Sequence, residues 1–255
     1  MAEAGTIRRP AACPPESTRL WEGNPVSTIT TNAVQAAIRA YTRPNLRIYD
    51  AVTMRFLAHA VWRCPASLFI NHYDALVSTN HADLGVGTGY CLDHCRAPID
   101  RLALFDLNPN CLEYASRRLA RFRPTVHVRN VLETVYSGSG PFASIGLGGV
   151  LHCLPGSMAD KGRVFDNIKP ILTRQTVVFG YTLISDPGVL RSPARLVRAL
   201  LNRTGVINNY HDTSDGLRRE LEQRFDRVIV TRAGAFAFFI ASQCSGRQLI
   251  DAQIF

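Results

Sequence analysis

The chain has 255 residues, 46% of them hydrophobic, enough to bury one substantial core as one large domain or two small ones. It holds no internal repeat and no uninterrupted apolar run of membrane-spanning length. Its formal charge of +9 rests on 29 basic residues, all but Lys161 and Lys169 arginine, interleaved with acids and without a dense basic tract, which argues against nucleic-acid binding.

Residues 1–25, "MAEAGTIRRPAACPPESTRLWEGNP", lack an apolar signal core and read as a flexible tail, so a cytoplasmic location is expected. Residues 26–255 read as one domain with helical cap segments at 26–78 and about 186–214. "STITTNAVQAAIRAYTR" (27–43) and "LRIYDAVTMRFLAHAVWRC" (46–64) carry apolar residues at helical spacing, Pro65 closes the second, and "PASLFINHYDALVS" is a further helix. Strands and helices then alternate. "HADLGV", "RLALFDL", "TVHVRNVL", "FASIGLGGVL" and "QTVVFGYTLI" are the strands; "YCLDHCRAP", "NCLEYASRRLARF", "KGRVFDNIKPIL" and "DGLRRELEQRF" are the helices. The segment 185–214 is long for a plain connection and is expected to hold one helix and a pocket wall. "RVIVTRAG" and "AFAFFIASQ" are separated by little more than a turn, too close for a crossover helix, and must pair antiparallel. The expected fold is α/β: a doubly wound, mostly parallel, seven-stranded Rossmann-like sheet with a C-terminal antiparallel hairpin and an N-terminal helical layer.

Seven cysteines fit poorly with a complete disulfide framework. "CLDHC" (Cys91, His94, Cys95) has no second Cys/His pair at finger spacing, so these read as buried thiols and no metal is expected.

The first strand runs into "DLGVGTG", with Gly85, Gly87 and Gly89 on alternate positions. Glycines there let the backbone take positive φ and approach a ligand with no Cβ in the way. A dinucleotide turn reads G-x-G-x-x-G, whereas here Tyr90 stands in place of the third glycine. Asp106 ends the second strand about twenty residues beyond Gly85, placed to accept bonds from ribose hydroxyls. A ligand with a ribose but no diphosphate fits, and S-adenosylmethionine is one.

With Asp106, "RNVLE", "LHCLP" and the terminal hairpin, this motif resembles that of class I S-adenosylmethionine-dependent methyltransferases, particularly those acting on small molecules. The resemblance runs from about Asp50 to the end. It implies that Asp83 orients the loop or the methionine ammonium, and that Gly85, Gly87 and Gly89 line the methionine and ribose portion. It implies that Asp106 holds the ribose hydroxyls with Leu107 and Asn108 beside the adenine. Asn130 and Val131 stand where an Asp often receives the adenine amino group, and the Asn130 amide oxygen can still accept that bond. Leu147 and Gly148 are expected beside the methionine moiety, Gly148 in place of a commoner polar residue. Tyr49 and Arg63 sit on the covering helices. The Arg63 guanidinium is either a partner of the methionine carboxylate or a surface group beside Trp62, and Tyr49 is either a lid or a core aromatic.

Methyl transfer from a sulfonium is an in-line displacement for which the protein supplies alignment and, where needed, proton removal. His152 in "LHCLP" and His211, beside Asp212 in "NNYHDTSDG", are the candidate bases, set against a structural His152 and a helix-capping turn. The expected activity is methyl transfer to a small, partly apolar molecule such as a natural-product intermediate. Alternatives are a methyltransferase fold catalysing a non-methylating reaction such as a cyclisation, an NAD-dependent oxidoreductase, and a nucleic-acid methyltransferase. No nucleic acid and no membrane span are expected among the partners, and the oligomeric state is open.

Overall fold

The computed structural model describes residues 42–135 and 137–243. The expected tail 1–25, nearly all of the first expected helix and residues 244–255 lie outside them. The strands are β1 (Asn80–Leu84), β2 (Arg101–Asp106), β3 (Thr125–Val128), β4 (Ser144–Gly148), β5 (Val177–Leu183), β6 (Arg227–Ala233) and β7 (Phe236–Ser242). They form one seven-stranded sheet in the order β3-β2-β1-β4-β5-β7-β6. All neighbours are parallel except β5–β7 and β6–β7. This is the expected doubly wound sheet with its antiparallel hairpin. The strand order reverses between β1 and β4, and ligands of such sheets bind beyond the carboxyl ends of the strands at that crevice.

The helices are α1 (Arg43–Tyr49), continuing as a π-helix (Asp50–Val61), then α2 (Ala66–Leu76), α3 (Tyr90–His94), α4 (Pro109–Arg118), α5 (Met158–Asn167), α6 (Ser192–Arg203) and α7 (Ser214–Glu222). Their starts follow local chemistry. Asn108 caps α4 by accepting from the Asn110 N–H, with Pro109 pre-set for the first turn. Ser157 and Asp160 close a reciprocal capping box on α5. Thr213 caps α7 through the Gly216 N–H.

Strand side chains alternate between two cores, as the period of two requires. Ala82, Phe105, Leu147, Phe239 and Ala237 face one layer with α5 and α7 residues. Leu104, Phe179, Tyr181, Phe236 and Phe238 face the other, with α2, α3 and α4. Burial on both faces explains why β1, β2, β4, β5 and β7 are near-continuously buried, while the edge strands β3 and β6 are half-buried or exposed.

Some element boundaries differ from the sequence reading. The third strand was expected to reach 132 and stops at Val128, because Asn130 folds its amide oxygen onto the Leu132 N–H in a turn. The fourth ends at Gly148, where Gly149 turns to φ 74. The second N-terminal helix unwinds before Pro65 through Arg63, whose φ is 56.

Candidate cofactor and methyl-acceptor site

Two cavities lie at the β1/β4 crevice and share Gly85, Gly87, Gly149 and Cys153 as a common wall. The smaller lobe encloses about 710 Å³ of empty space and the larger about 1080 Å³, open solvent included.

The glycine loop separates the lobes, and its glycines have distinct reasons. All three take positive φ, at 69, 54 and 70°. A Cβ on Gly85 would strike the Val150 Cγ2, and one on Gly89 would press the Leu119 Cδ1 at 3.1 Å. A Cβ on Gly87 would meet nothing within 4 Å, because this position opens onto the cavity. Asp106 holds the loop from β2: its Oδ2 accepts from the Gly87 N–H at 3.2 Å and its Oδ1 from the Asn108 N–H at 2.8 Å. Burial raises its pKa against the pull of those N–H groups.

Asp106, Leu107, Asn108, Asn130 and Val131 line the smaller lobe together. Asn130, however, spends its amide locally. Its oxygen accepts from the Leu132 N–H at 3.0 Å and its nitrogen donates to Glu133 Oε1 at 3.2 Å, which fixes the amide in its turn and leaves the oxygen its second lone pair.

The larger lobe contains Asp83, Tyr49, Gly148 and His152 of the expected set. Asp83 Oδ1 accepts from the Tyr73 hydroxyl at 3.0 Å, and burial pushes the carboxyl up to about 7. Tyr73 also explains Gly148: a Cβ there would come within 2.5 Å of the Tyr73 hydroxyl. A tyrosine from α2 thus occupies the space of a side chain at position 148. Sequence reading missed Tyr73 because an aromatic at helical spacing beside Phe69 reads as plain core. Tyr181, from β5, was missed as well. It packs on Phe69 at 4.4 Å and contacts the Cys91 thiol at 3.4 Å.

Leu147, Arg63 and His211 stand elsewhere. Leu147 points into the opposite core, as strand alternation demands once Gly148 faces the cavity. Arg63 is exposed outside both lobes, its carbonyl against the Gly234 turn of the β6–β7 hairpin. His211 is exposed, and its expected orienter Asp212 instead accepts from Lys161 Nζ at 2.6 Å. Of the "CLDHC" group, Cys91 and Cys95 are buried free thiols, while His94 is exposed and bonds the Tyr90 carbonyl. Among the described residues no cluster of three or more His, Cys, Asp or Glu could hold a metal, and no helix is long and apolar enough to cross a membrane.

The cap is fastened on both sides. Asp50 accepts from the Thr88 hydroxyl at 2.7 Å and from Arg118 Nη1 at 2.5 Å, tying the π-helix to the glycine loop. Lys161, fully buried on α5, reaches Asp212 and the Asn208 carbonyl, and the Asn208 N–H donates to the His152 carbonyl at 2.6 Å. This draws the 206–212 strap over the larger lobe, to which it gives Val206 and Ile207.

The residues present suit S-adenosylmethionine. An uncrowded glycine backbone at Gly87 joins a lobe with a half-buried carboxylate at the end of β2 to one with a second carboxylate and tyrosine rings. None of the described residues lining the larger lobe is Lys or Arg, which favours a cationic sulfonium and ammonium there.

No family model matches the chain. It is 34% identical over 203 residues to demethylluteothin O-methyltransferase of Streptomyces thioluteus, covering 79% of this chain and 88% of that one. It is 30% identical over 214 residues to the physcion biosynthesis cluster O-methyltransferase of Aspergillus chevalieri, covering 81% and 95%. Its fold matches that of DhpI in a complex with S-adenosylhomocysteine at a TM-score of 0.63, with 14% identity, covering 85% of this chain and all of that one. These likenesses favour methylation over the cyclisation, oxidoreductase and nucleic-acid readings, and the chain belongs to the class I S-adenosylmethionine-dependent methyltransferases that act on small molecules.

Proposed function

We propose that the protein methylates a hydroxyl oxygen on a neutral, largely apolar aromatic molecule of secondary metabolism. The observation that carries this reading is the lining of the larger lobe. Met54, Leu57, Phe69, Ile207 and Phe236 offer apolar and aromatic faces, and no described lining residue is Lys or Arg. Such a wall rewards burial of a planar apolar body and offers an anionic substrate no counter-charge. The relatives carry O-methyltransferase in their names, one for demethylluteothin and one in a physcion cluster. A cytoplasmic site of action accords with the buried thiols at Cys64, Cys91, Cys95 and Cys111.

When bound, S-adenosylmethionine supplies a methyl group on a positively charged sulfur. In our assignment Asp106, with Leu107, Asn108 and Val131, takes the ribose and adenine in the smaller lobe. Gly85 and Gly87 bring bare backbone to the join between lobes, and Asp83 faces the methionine ammonium. The strap at 206–212 and the π-helix exclude water above the acceptor and align it, and near-attack alignment is the main device for this chemistry.

Incubating the protein with radiolabelled S-adenosylmethionine and hydroxylated aromatic acceptors, demethylluteothin first among them, tests the reading by the mass and position of the new methyl. Label found only on nitrogen or carbon would overturn the oxygen assignment. Asp106→Ala removes charge-assisted bonds worth about 1.5–3 kcal/mol each. Calorimetric affinity for S-adenosylhomocysteine should fall at least about tenfold. Unchanged affinity in the folded variant would take the ribose away from Asp106.

A further inference from the structure

We propose that His152 serves this site as a hydrogen-bond donor of fixed tautomer that recognises an oxygen of the methyl acceptor, rather than as the base that deprotonates it. This rests on the small-molecule reading above.

The imidazole is held from behind by β5. Its Nδ1 lies 3.1 Å from the Leu183 backbone nitrogen and 3.3 Å from the Thr182 hydroxyl oxygen. A backbone N–H only donates, so Nδ1 must accept, and the neutral ring carries its proton on Nε2. That Nε2–H has no partner among the described residues. It is not sealed in the core either, because the buried unpartnered side-chain nitrogens among the described residues are His72 Nδ1, His81 Nε2 and Arg198 Nε. His152 lines the larger lobe, so the free edge of the ring opens into it.

Proton acceptance has no place in this arrangement. A proton arriving at Nδ1 would face the Leu183 N–H, and Nε2 is already protonated. Burial, and then the nearby Lys161 charge, hold the ring's pKa down at about 3. The ring is also fixed in position: the Asn208 N–H donates to its carbonyl, the Phe236 ring meets it edge-on at 6.3 Å, and Lys161 braces Asn208. A fixed, neutral N–H between Leu183 and Phe236 selects an acceptor bearing an oxygen lone pair at that spot, either the methyl-accepting hydroxyl or a carbonyl beside it. An isosteric hydrocarbon would leave the donor unpaired, which is the stronger source of selectivity.

The test uses the full chain with histidine labelled with nitrogen-15, with and without S-adenosylhomocysteine. Long-range proton–nitrogen spectra report each ring's tautomer, and His152→Gln identifies the resonance. The expected result is an Nε2–H ring that does not titrate from about pH 8 to about pH 5. Addition of chromone, a flat bicyclic ketone, should shift the Nε2–H proton downfield, and naphthalene should not. Chromone affinity should fall roughly five- to tenfold in His152→Phe and change little in His152→Gln, which keeps a donor. An Nδ1–H ring, a titration near 6.5, or an Nε2–H indifferent to chromone would overturn the proposal. A chain that binds no S-adenosylhomocysteine would overturn the functional reading instead, a result read separately by calorimetry.

Discussion

Asp83 is a carboxylate that the fold tolerates at a cost. Its ordinary value of 3.8 is raised to about 7 by burial, so the native state holds a proton that the unfolded chain releases between those values. Stability from this group is therefore present at low pH and lost as pH rises from 3.8 to 7. Asp83→Asn should gain in melting temperature relative to the parent as pH rises through that window, read by thermal melts at pH 4 and pH 8. In the parent, an ammonium against Asp83 favours the ionised form, so S-adenosylmethionine binding should tighten as pH rises towards 7 and release a proton. Calorimetry in buffers of different ionisation heat measures that proton, and equal apparent enthalpies in all buffers would remove Asp83 from the ammonium. Two glycines make a second contrast. Gly85→Ala collides with Val150 and should cost well over about 1 kcal/mol of stability. Gly87→Ala has room around it and bears only the left-handed backbone strain, about 1–2 kcal/mol, so it should lose less stability than Gly85→Ala while losing cofactor affinity, because its methyl enters the cavity. Equal losses of affinity and stability in both would contradict this division of roles.

At the scale of elements, the strap at 206–212 is held to α5 by a fully buried ion pair, Lys161 with Asp212. Removing one partner leaves an unpaired charge in the core, which typically costs 3–5 kcal/mol, while replacing both with apolar groups is often neutral. Lys161→Met should lower the urea midpoint sharply, and Lys161→Met with Asp212→Leu should recover most of the loss. The double variant keeps the fold but frees the Asn208 carbonyl, so its strap should show faster amide exchange at 206–210 than the parent's. Unchanged exchange there would place the strap's order in Asn209, which bonds Asn202 and the Leu183 carbonyl, rather than in Lys161.

Across the whole molecule, His72 and His81 lie buried and neutral against the aromatic layer, held down to about 4 and about 3 by desolvation. The unfolded chain protonates them first as pH falls below 6.5, so each group's contribution is complete above 6.5 and is lost toward the lower values. His81→Asn keeps a partner for Ser144 and removes the titration, so its melting temperature relative to the parent should rise steadily from pH 6.5 to pH 4. A constant difference would show that His81 does not drive acid unfolding. The sequence by itself determined the class of the sheet: alternation of apolar runs with helical periods points to a doubly wound sheet, and the short 233–236 connection demands a hairpin. It also determined the glycine loop and its Asp106 partner, because backbone freedom and a carboxylate at a strand end are local properties written in residue type. What lay between distant segments was decided only by the tertiary structure. Leu147 faces the wrong layer because a single step along a strand reverses direction, and His211 is outside because Asp212 is claimed by a lysine fifty-one residues away. Tyr73 fills the place left by Gly148, and Leu183 fixes the proton of His152, through contacts that spacing along the chain does not encode. Side-chain direction and long-range pairing are settled by packing, where one hydrogen bond from another element decides what a residue can do.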